Sequence, residues 1–307
     1  MKAVEMDYAK IMSDCTLCPR NCHADRLGGN TGFCGQSAEI KAARAALHFW
    51  EEPCISGESG SGTVFFSGCV LRCVFCQNRN IAESRAGRVI TAERLAEIFL
   101  ELQEKKANNI NLVTPTHFVP QIAWALERAK AEGLRIPVVY NTGSYEKTDT
   151  LKRMDGLVDI YLPDMKYVSP ALGKRYSHAP DYFETASRAI EEMVRQTGDA
   201  VFDSDSGLMK KGVIVRHLVL PGCTADSKKV IRYLYQTYGD RIFISIMNQY
   251  TPIGEFKEFP ELNRRVSARE YDKVVDFALD LGVENGFIQE GETAEESFIP
   301  EFDGEGL

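Results

Sequence analysis

The chain has no run of about 18 apolar residues, the length that a membrane-spanning helix needs. The opening stretch Met1-Lys2-Ala3-Val4-Glu5-Met6-Asp7 holds no uninterrupted apolar core, so no signal peptide is expected. No strong internal repeat and no low-complexity tract stands out. Positive charge is in short supply: 36 Lys and Arg against 44 Asp and Glu leave a net charge of −8. That balance speaks against a broad nucleic-acid footprint. Nine cysteines in 307 residues are too few for a disulfide scaffold. An obvious His–carboxylate pair is also missing. These absences lead us to expect a cytoplasmic protein without membrane or nucleic-acid partners.

What is present suits a soluble α/β protein. The length of 307 residues accommodates one large domain or two ordinary ones. Apolar residues at 44% and charged residues at 26% give an ordinary globular balance. Seven of the nine cysteines fall into two groups, Cys15/Cys18/Cys22/Cys34 and Cys69/Cys73/Cys76, which points to metals. Cys54 and Cys223 stand alone, and a lone cysteine is usually an inert buried residue. A reducing compartment fits free thiols.

The second group lies in Gly68-Cys69-Val70-Leu71-Arg72-Cys73-Val74-Phe75-Cys76, directly after the strand-like run Thr63-Val64-Phe65-Phe66. Three soft thiolates in one loop at a strand end can wrap a corner of an iron–sulfur cube and hold three of its irons. The fourth iron would stay open to a small molecule, and Phe75 would shield the cluster from water. A zinc knuckle competes for the same residue type, but it wants four ligands, commonly in Cys-x2-Cys pairs. The nearest following histidine is as distant as His117.

The first group sits in Cys15-Thr16-Leu17-Cys18-Pro19-Arg20-Asn21-Cys22 and Gly32-Phe33-Cys34-Gly35. Pro19 and Gly28-Gly29 supply the bends needed to aim four thiolates at one centre. A tetrahedral zinc or a second iron–sulfur cluster would satisfy the set. Buried free thiols would explain so dense a polar, glycine-rich stretch poorly. His23 is a reserve ligand.

The pattern Cys-x3-Cys-x-aromatic-Cys, led by Gly68 and carrying Leu71-Arg72, resembles the cluster loop of the radical S-adenosylmethionine superfamily. Residues 13–290 more widely resemble its pyruvate formate-lyase activating-enzyme branch, in particular PflX-like members. The resemblance implies Cys69, Cys73 and Cys76 as catalytic residues and iron ligands of a [4Fe-4S] cluster. It implies S-adenosylmethionine chelated at the open iron. Reductive cleavage would yield methionine and a 5'-deoxyadenosyl radical, which takes a hydrogen atom from substrate. A flavodoxin or ferredoxin would supply the electron. The substrate would be a glycyl-radical enzyme or another protein or peptide, or alternatively a small molecule. An iron–sulfur electron carrier without radical chemistry is the competing reading.

Six strands alternate with helices: Thr63 to Ser67, Asn109 to Val113, Pro137 to Tyr140, Leu157 to Leu162, Gly212 to Leu220 and Arg241 to Met247. Near-continuous apolar strands of this kind imply a parallel sheet. Eight units would close a barrel. Six predict a partial (β/α)6 TIM-type barrel at 61–290, after a Cys-rich metal-binding extension at 1–60 and before an acidic tail at 291–307. Among the helices, Thr91 caps one whose Leu95, Ile98, Phe99 and Leu102 share a face. Another, Pro120 to Ala131, is closed by Gly133.

In a parallel barrel the site forms at the C-terminal strand ends. Polar residues concentrate there: Thr114-Pro115-Thr116-His117, Asn141-Thr142-Gly143, Asp164-Met165-Lys166, Leu220-Pro221-Gly222 and Asn248-Gln249-Tyr250. The family's Gly-Gly-Glu is replaced by Thr114, Thr116 and His117, where a Thr hydroxyl or backbone carbonyl would accept from the cofactor ammonium. Its Asp-Thr-Asn-Gly becomes Tyr140-Asn141-Thr142-Gly143. Its Asp-x-Lys is kept: Lys166 would neutralise the methionine carboxylate, and Asp164 would orient a ribose, ammonium or cation. Arg216 is either a cofactor contact or a strand-end salt bridge. Phe75 and Asn78 would also contact cofactor, Cys223 faces the substrate in one reading, and Gln289 or Glu290 would cover the open side.

Overall fold

The structure, a computed structural model, describes residues 2–289 and 300–307. Glu290 and residues 291–299 of the acidic tail lie outside the described residues.

Helix α1 (Lys2–Ser13) and strand β1 (Ile40–His48) bracket the first cysteine segment, and a single turn, α2 (Pro53–Ser56), leads to β2 (Ser61–Phe66). After the second cysteine loop come α3 (Arg79–Ala82), β3 (Arg88–Ile90) and α4 (Ala92–Glu104). Strands then alternate with helices: β4 (Ile110–Val113), α5 (Val119–Glu132), β5 (Val138–Thr142), α6 (Thr148–Leu151) and β6 (Ile160–Pro163). Two helices, α7 (Pro170–Ser177) and α8 (Tyr182–Thr197), precede the short β7 (Val201–Phe202) and the long β8 (Met209–Leu218). The chain closes with α9 (Thr224–Tyr238), β9 (Phe243–Met247), α10 (Ala268–Leu281) and β10 (Gly286–Ile288).

Every residue of β2, β4, β5 and β6 is buried, which is why these strands read as mostly apolar rather than as alternating, with Ser61, Thr63, Asn111, Asn141 and Thr142 the polar exceptions. Helix α4 starts where the Thr91 hydroxyl accepts from Arg94 N, and it buries Leu95, Ile98, Phe99 and Leu102. Burial of such side chains contributes about 1.5–3 kcal/mol each. Helix α5 stops at Gly133, whose φ of 117° is open to glycine and strained for other residues.

The sheet runs β10-β9-β8-β6-β5-β4-β2-β1-β3, with β7 paired to β8. All six expected strands are present, and β2, β4, β5, β6, β8 and β9 pair in parallel, extended by β10. The expected partial (β/α)6 barrel with a metal-binding extension is nevertheless corrected to a mixed ten-stranded sheet. β1 lies antiparallel on β2 and β3 antiparallel on β1, while β7 is antiparallel to β8. Residues 49–60 hold only the single turn α2 and turn the chain back, so β1 and β2 pair as antiparallel neighbours. β1 thereby covers the edge that β2 would otherwise expose.

The first cysteine segment is docked on this sheet. Arg26, 1% exposed, donates from Nε and Nη2 to the Ser37 carbonyl at 3.1 and 2.7 Å and from Nη1 to the His117 carbonyl at 2.7 Å. Arg20 Nε donates to the Val70 carbonyl at 2.8 Å, and Thr150 Oγ1 donates to the Leu17 carbonyl at 2.6 Å. Gly68, at φ 88°, completes the contact, since a Cβ there would lie 2.6 Å from the Cys34 carbonyl oxygen. Among the described residues no helix is long and apolar enough to cross a membrane.

Candidate functional site

The parallel strands deliver their polar C-terminal residues to one end of the sheet. Asn141 lies in β5, Asp164 follows β6, Arg216 lies in β8, and Glu51 comes from the link after β1. Arg216 is the hub. It donates from Nε to Asp164 Oδ1 at 3.0 Å, from Nη1 to Glu51 Oε2 at 2.9 Å and from Nη2 to Asn141 Oδ1 at 2.6 Å. Glu51 Oε1 accepts from Asn111 and Asn141 at 3.0 and 3.1 Å, and Lys166 Nζ donates to Asp164 Oδ2 at 2.6 Å. The planar guanidinium fork, with donors at three nitrogens, suits three acceptors spread around it.

Burial works to raise the Asp164 carboxyl, but Lys166 and Arg216 outweigh it and hold the group below its ordinary value. Burial likewise opposes the charge on Lys166 and Arg216, and the facing carboxylates reverse that sign for both. Tyr182 fixes the backbone beneath the network. Its hydroxyl donates to the Asp164 carbonyl at 2.7 Å and accepts from Lys166 N at 3.0 Å.

This network borders a cleft of about 520 Å³. Of the residues expected at the site, Cys73, Phe75, Cys76, Asn78, Asn141, Asp164, Lys166 and Arg216 line it together. Phe75 is 6% exposed and packs edge-to-face on Tyr176 and Tyr250, a dry wall for the cleft. The other expected residues are placed differently. Thr116 and Thr142 donate to the buried Glu146 Oε1 at 2.6 and 2.5 Å, with Tyr140 OH at 3.4 Å. Burial raises Glu146 to about 7. His117 Nε2 donates to the Ser67 carbonyl at 2.6 Å, and burial together with Arg26 lowers its pKa to about 3. Thr114 takes a φ of 59°, and its N–H donates to the Asn141 carbonyl at 2.9 Å.

The expected cofactors are corrected. Among the described residues, no group of three or more His, Cys, Asp or Glu side chains is arranged to hold a metal ion. This applies to the [4Fe-4S] cluster expected at Cys69, Cys73 and Cys76. It applies equally to the zinc or second cluster expected at Cys15, Cys18, Cys22 and Cys34. The thiols within each group lie in electrostatic reach of one another, yet they are engaged otherwise. Cys73 Sγ accepts from Ser177 Oγ at 3.0 Å, Cys69 Sγ from Leu71 N at 3.4 Å, Cys22 Sγ from Phe33 N at 3.3 Å and Cys15 Sγ from Arg26 Nη1 at 3.6 Å. Burial pushes Cys18 up to about 12 and raises Cys34, Cys73 and Cys76 as well. Among the described residues, neither cysteine group forms a metal site as arranged.

Sequence reasoning missed Glu51, Glu52, Glu146 and Tyr182. The adjacent carboxylates Glu51-Glu52 before Pro53 were a visible signal, but no spacing rule connects them to β8. Expected Gln289 does line the cleft, whereas Cys223, half-buried, does not. A separate apolar cavity of about 640 Å³ lies between the first cysteine segment, α4 and α5, away from the charged network.

Residues 63–234 match the radical SAM superfamily. A curated relative, uncharacterized protein MJ0674 of Methanocaldococcus jannaschii, is 28% identical over 289 residues, covering 90% of this chain and 77% of the relative. Among solved structures, Streptococcus suis SuiB bound to precursor peptide SuiA aligns with a TM-score of 0.50 at 14% identity. That alignment covers 73% of this chain and 47% of SuiB, so the chain spans about half of SuiB's length. The likeness is one of fold.

Proposed function

The chain belongs to the radical SAM superfamily, and from that premise we propose an oxidoreductase-like enzyme that removes a hydrogen atom from a peptide or protein segment seated over the cleft. The observation that carries this reading is the buried network of Arg216, Asp164, Glu51, Asn141 and Lys166 at the strand ends. Its charges are already paired and oriented, so a polar partner is received without reorganisation of the site. Lys166 would neutralise a carboxylate, and Asp164 would accept from a hydroxyl group.

Hydrogen-atom abstraction itself needs no general base. The protein's tasks are to fix the reacting atoms close together and to keep water out. Phe75 lines the cleft and, backed by Tyr176 and Tyr250, serves the second task. The mouth favours a polypeptide substrate: Phe49 and Trp50 line the cleft and stand 48% and 53% exposed. Exposed aromatic rings beside a cleft suit peptide contact. The peptide held by SuiB supports the same substrate class, and within it a glycyl-radical enzyme remains the branch's version. A flavodoxin or ferredoxin would deliver the electron that the family's chemistry consumes.

The test is an anaerobic incubation with S-adenosylmethionine, dithionite and peptides deuterated at Cα, followed by mass spectrometry of 5'-deoxyadenosine. Deuterium in that product, lost in Lys166→Ala, supports the reading. Wild-type protein that forms no 5'-deoxyadenosine, or forms it without deuterium transfer from any peptide, overturns it.

A further inference from the structure

We infer that the substrate carries an ammonium or guanidinium group and that Glu52 receives it inside the cleft. This inference rests on the cleft being the substrate site.

Glu52 sits between the end of β1 and Pro53, lines the cleft and is 8% exposed. Its Oε2 has no hydrogen-bond partner among the described residues. The Ser245 hydroxyl acts on the carboxyl group but supplies no charge. The neighbouring carboxylates are already committed. Glu51 is paired to Arg216, and Asp164 is paired to both Arg216 and Lys166. Among the described residues lining the cleft, three carboxylates (Glu51, Glu52 and Asp164) thus face two cations, Lys166 and Arg216. The carboxylate left over is Glu52.

A buried carboxylate with an unsatisfied oxygen is costly, and a cation brought by a ligand relieves that cost with charge and hydrogen bond together. Burial raises the Glu52 carboxyl against the pull of Arg216, as expected of a group that still lacks its counter-ion. His48, also in the lining, does not supply one at neutral pH, since burial lowers its pKa to about 4. The exposed rings of Phe49 and Trp50, the two residues after β1's His48, stand at the same cleft. Aromatic faces attract ammonium and guanidinium groups. A lysine or arginine side chain, or a free amino terminus, has this chemistry.

Full-length protein is titrated calorimetrically at pH 7.5 with n-butylammonium, n-butylguanidinium, n-butanol and butyrate. At least one of the two cations is expected to bind roughly tenfold or more tighter than the neutral and anionic probes, the range of a charge-assisted hydrogen bond. Glu52→Gln, nearly isosteric, is expected to lose that preference. Butanol binding as tightly as both cations overturns the inference, and this comparison stands on wild-type protein alone. Unchanged cation binding in a folded Glu52→Gln overturns it as well. Displacement of n-butylammonium by S-adenosylmethionine, with no displacement by lysine-containing or amino-terminal peptides, assigns the site to another ligand and overturns it. Peptides that differ only in Lys against norleucine, or in a free against an acetylated amino terminus, identify which cation is read. None of these titrations requires turnover. Cation binding without 5'-deoxyadenosine formation would therefore refute the proposed reaction and leave the cation site standing.

Discussion

Arg216 and Glu51 are 165 residues apart in the chain and meet at 2.9 Å, with 14% and 9% of their side chains exposed. The contact ties β8 to the link after β1, two parts of the chain separated by four parallel strands of the sheet. It also fixes the third carboxylate: with Arg216 hydrogen-bonded to Glu51 and Asp164, Glu52 has no cation bonded to it among the described residues.

Arg216→Ala should leave Glu51 and Asp164 buried without their shared cation and cost about 3–5 kcal/mol. Urea unfolding measures this. Arg216→Lys should recover little, because a point-like ammonium cannot reach Asp164, Glu51 and Asn141 with fork geometry. A loss below about 1 kcal/mol for Arg216→Ala would place the network in the class of screened surface pairs instead.

Glu146 should make stability depend on pH. Its carboxyl rises from 4.5 to about 7 in the folded chain, chiefly through burial, so the native state prefers the protonated form. The group's contribution is then fully present below about pH 4.5 and lost as pH rises through about 7. Relative to Glu146→Gln, which does not titrate, wild-type stability should fall by on the order of a few kcal/mol across that window. Urea midpoints of both proteins at pH 5 and pH 8 decide it. A constant difference between them would show that Glu146 is not buried as described.

The cysteines should separate by accessibility. Cys22 is exposed, whereas Cys18 is buried with its pKa pushed up to about 12. Under native conditions at pH 8, iodoacetamide should modify Cys22 well before Cys18 or Cys76, because the thiolate is the reacting form. Peptide mapping by mass spectrometry gives the order. Equal rates at Cys18 and Cys22 would contradict the docking of this segment.

Much of the fold was legible because buried parallel strands are mostly apolar and helices must repeat every three to four residues. Val138 and Val139, or Leu95 and Ile98, announce their elements without reference to anything distant. The short strands β3, β7 and β10 were not legible, since so few residues carry no period. For the site, Asn141, Asp164, Lys166 and Arg216 could be found from the polar residues at the C-terminal end of each strand. Thr116, Thr142 and His117 share that position in sequence, yet they turn to Glu146 and Ser67, a choice made by side-chain packing.

The sequence by itself determined the order of the strands, the end of the sheet at which polar residues gather, and the superfamily motif at Cys69 to Cys76. Local pattern suffices for these, because burial acts residue by residue. Only the tertiary structure decided that β1 returns antiparallel and that Arg216 reaches Glu51. It also decided that Cys73, Cys15, Cys69 and Cys22 are engaged by Ser177, Arg26 and backbone N–H groups, and that Glu52 has no cation bonded to it among the described residues. Those outcomes depend on which distant groups compete for the same charge or hydrogen bond, and such competition is settled only when the chain is folded.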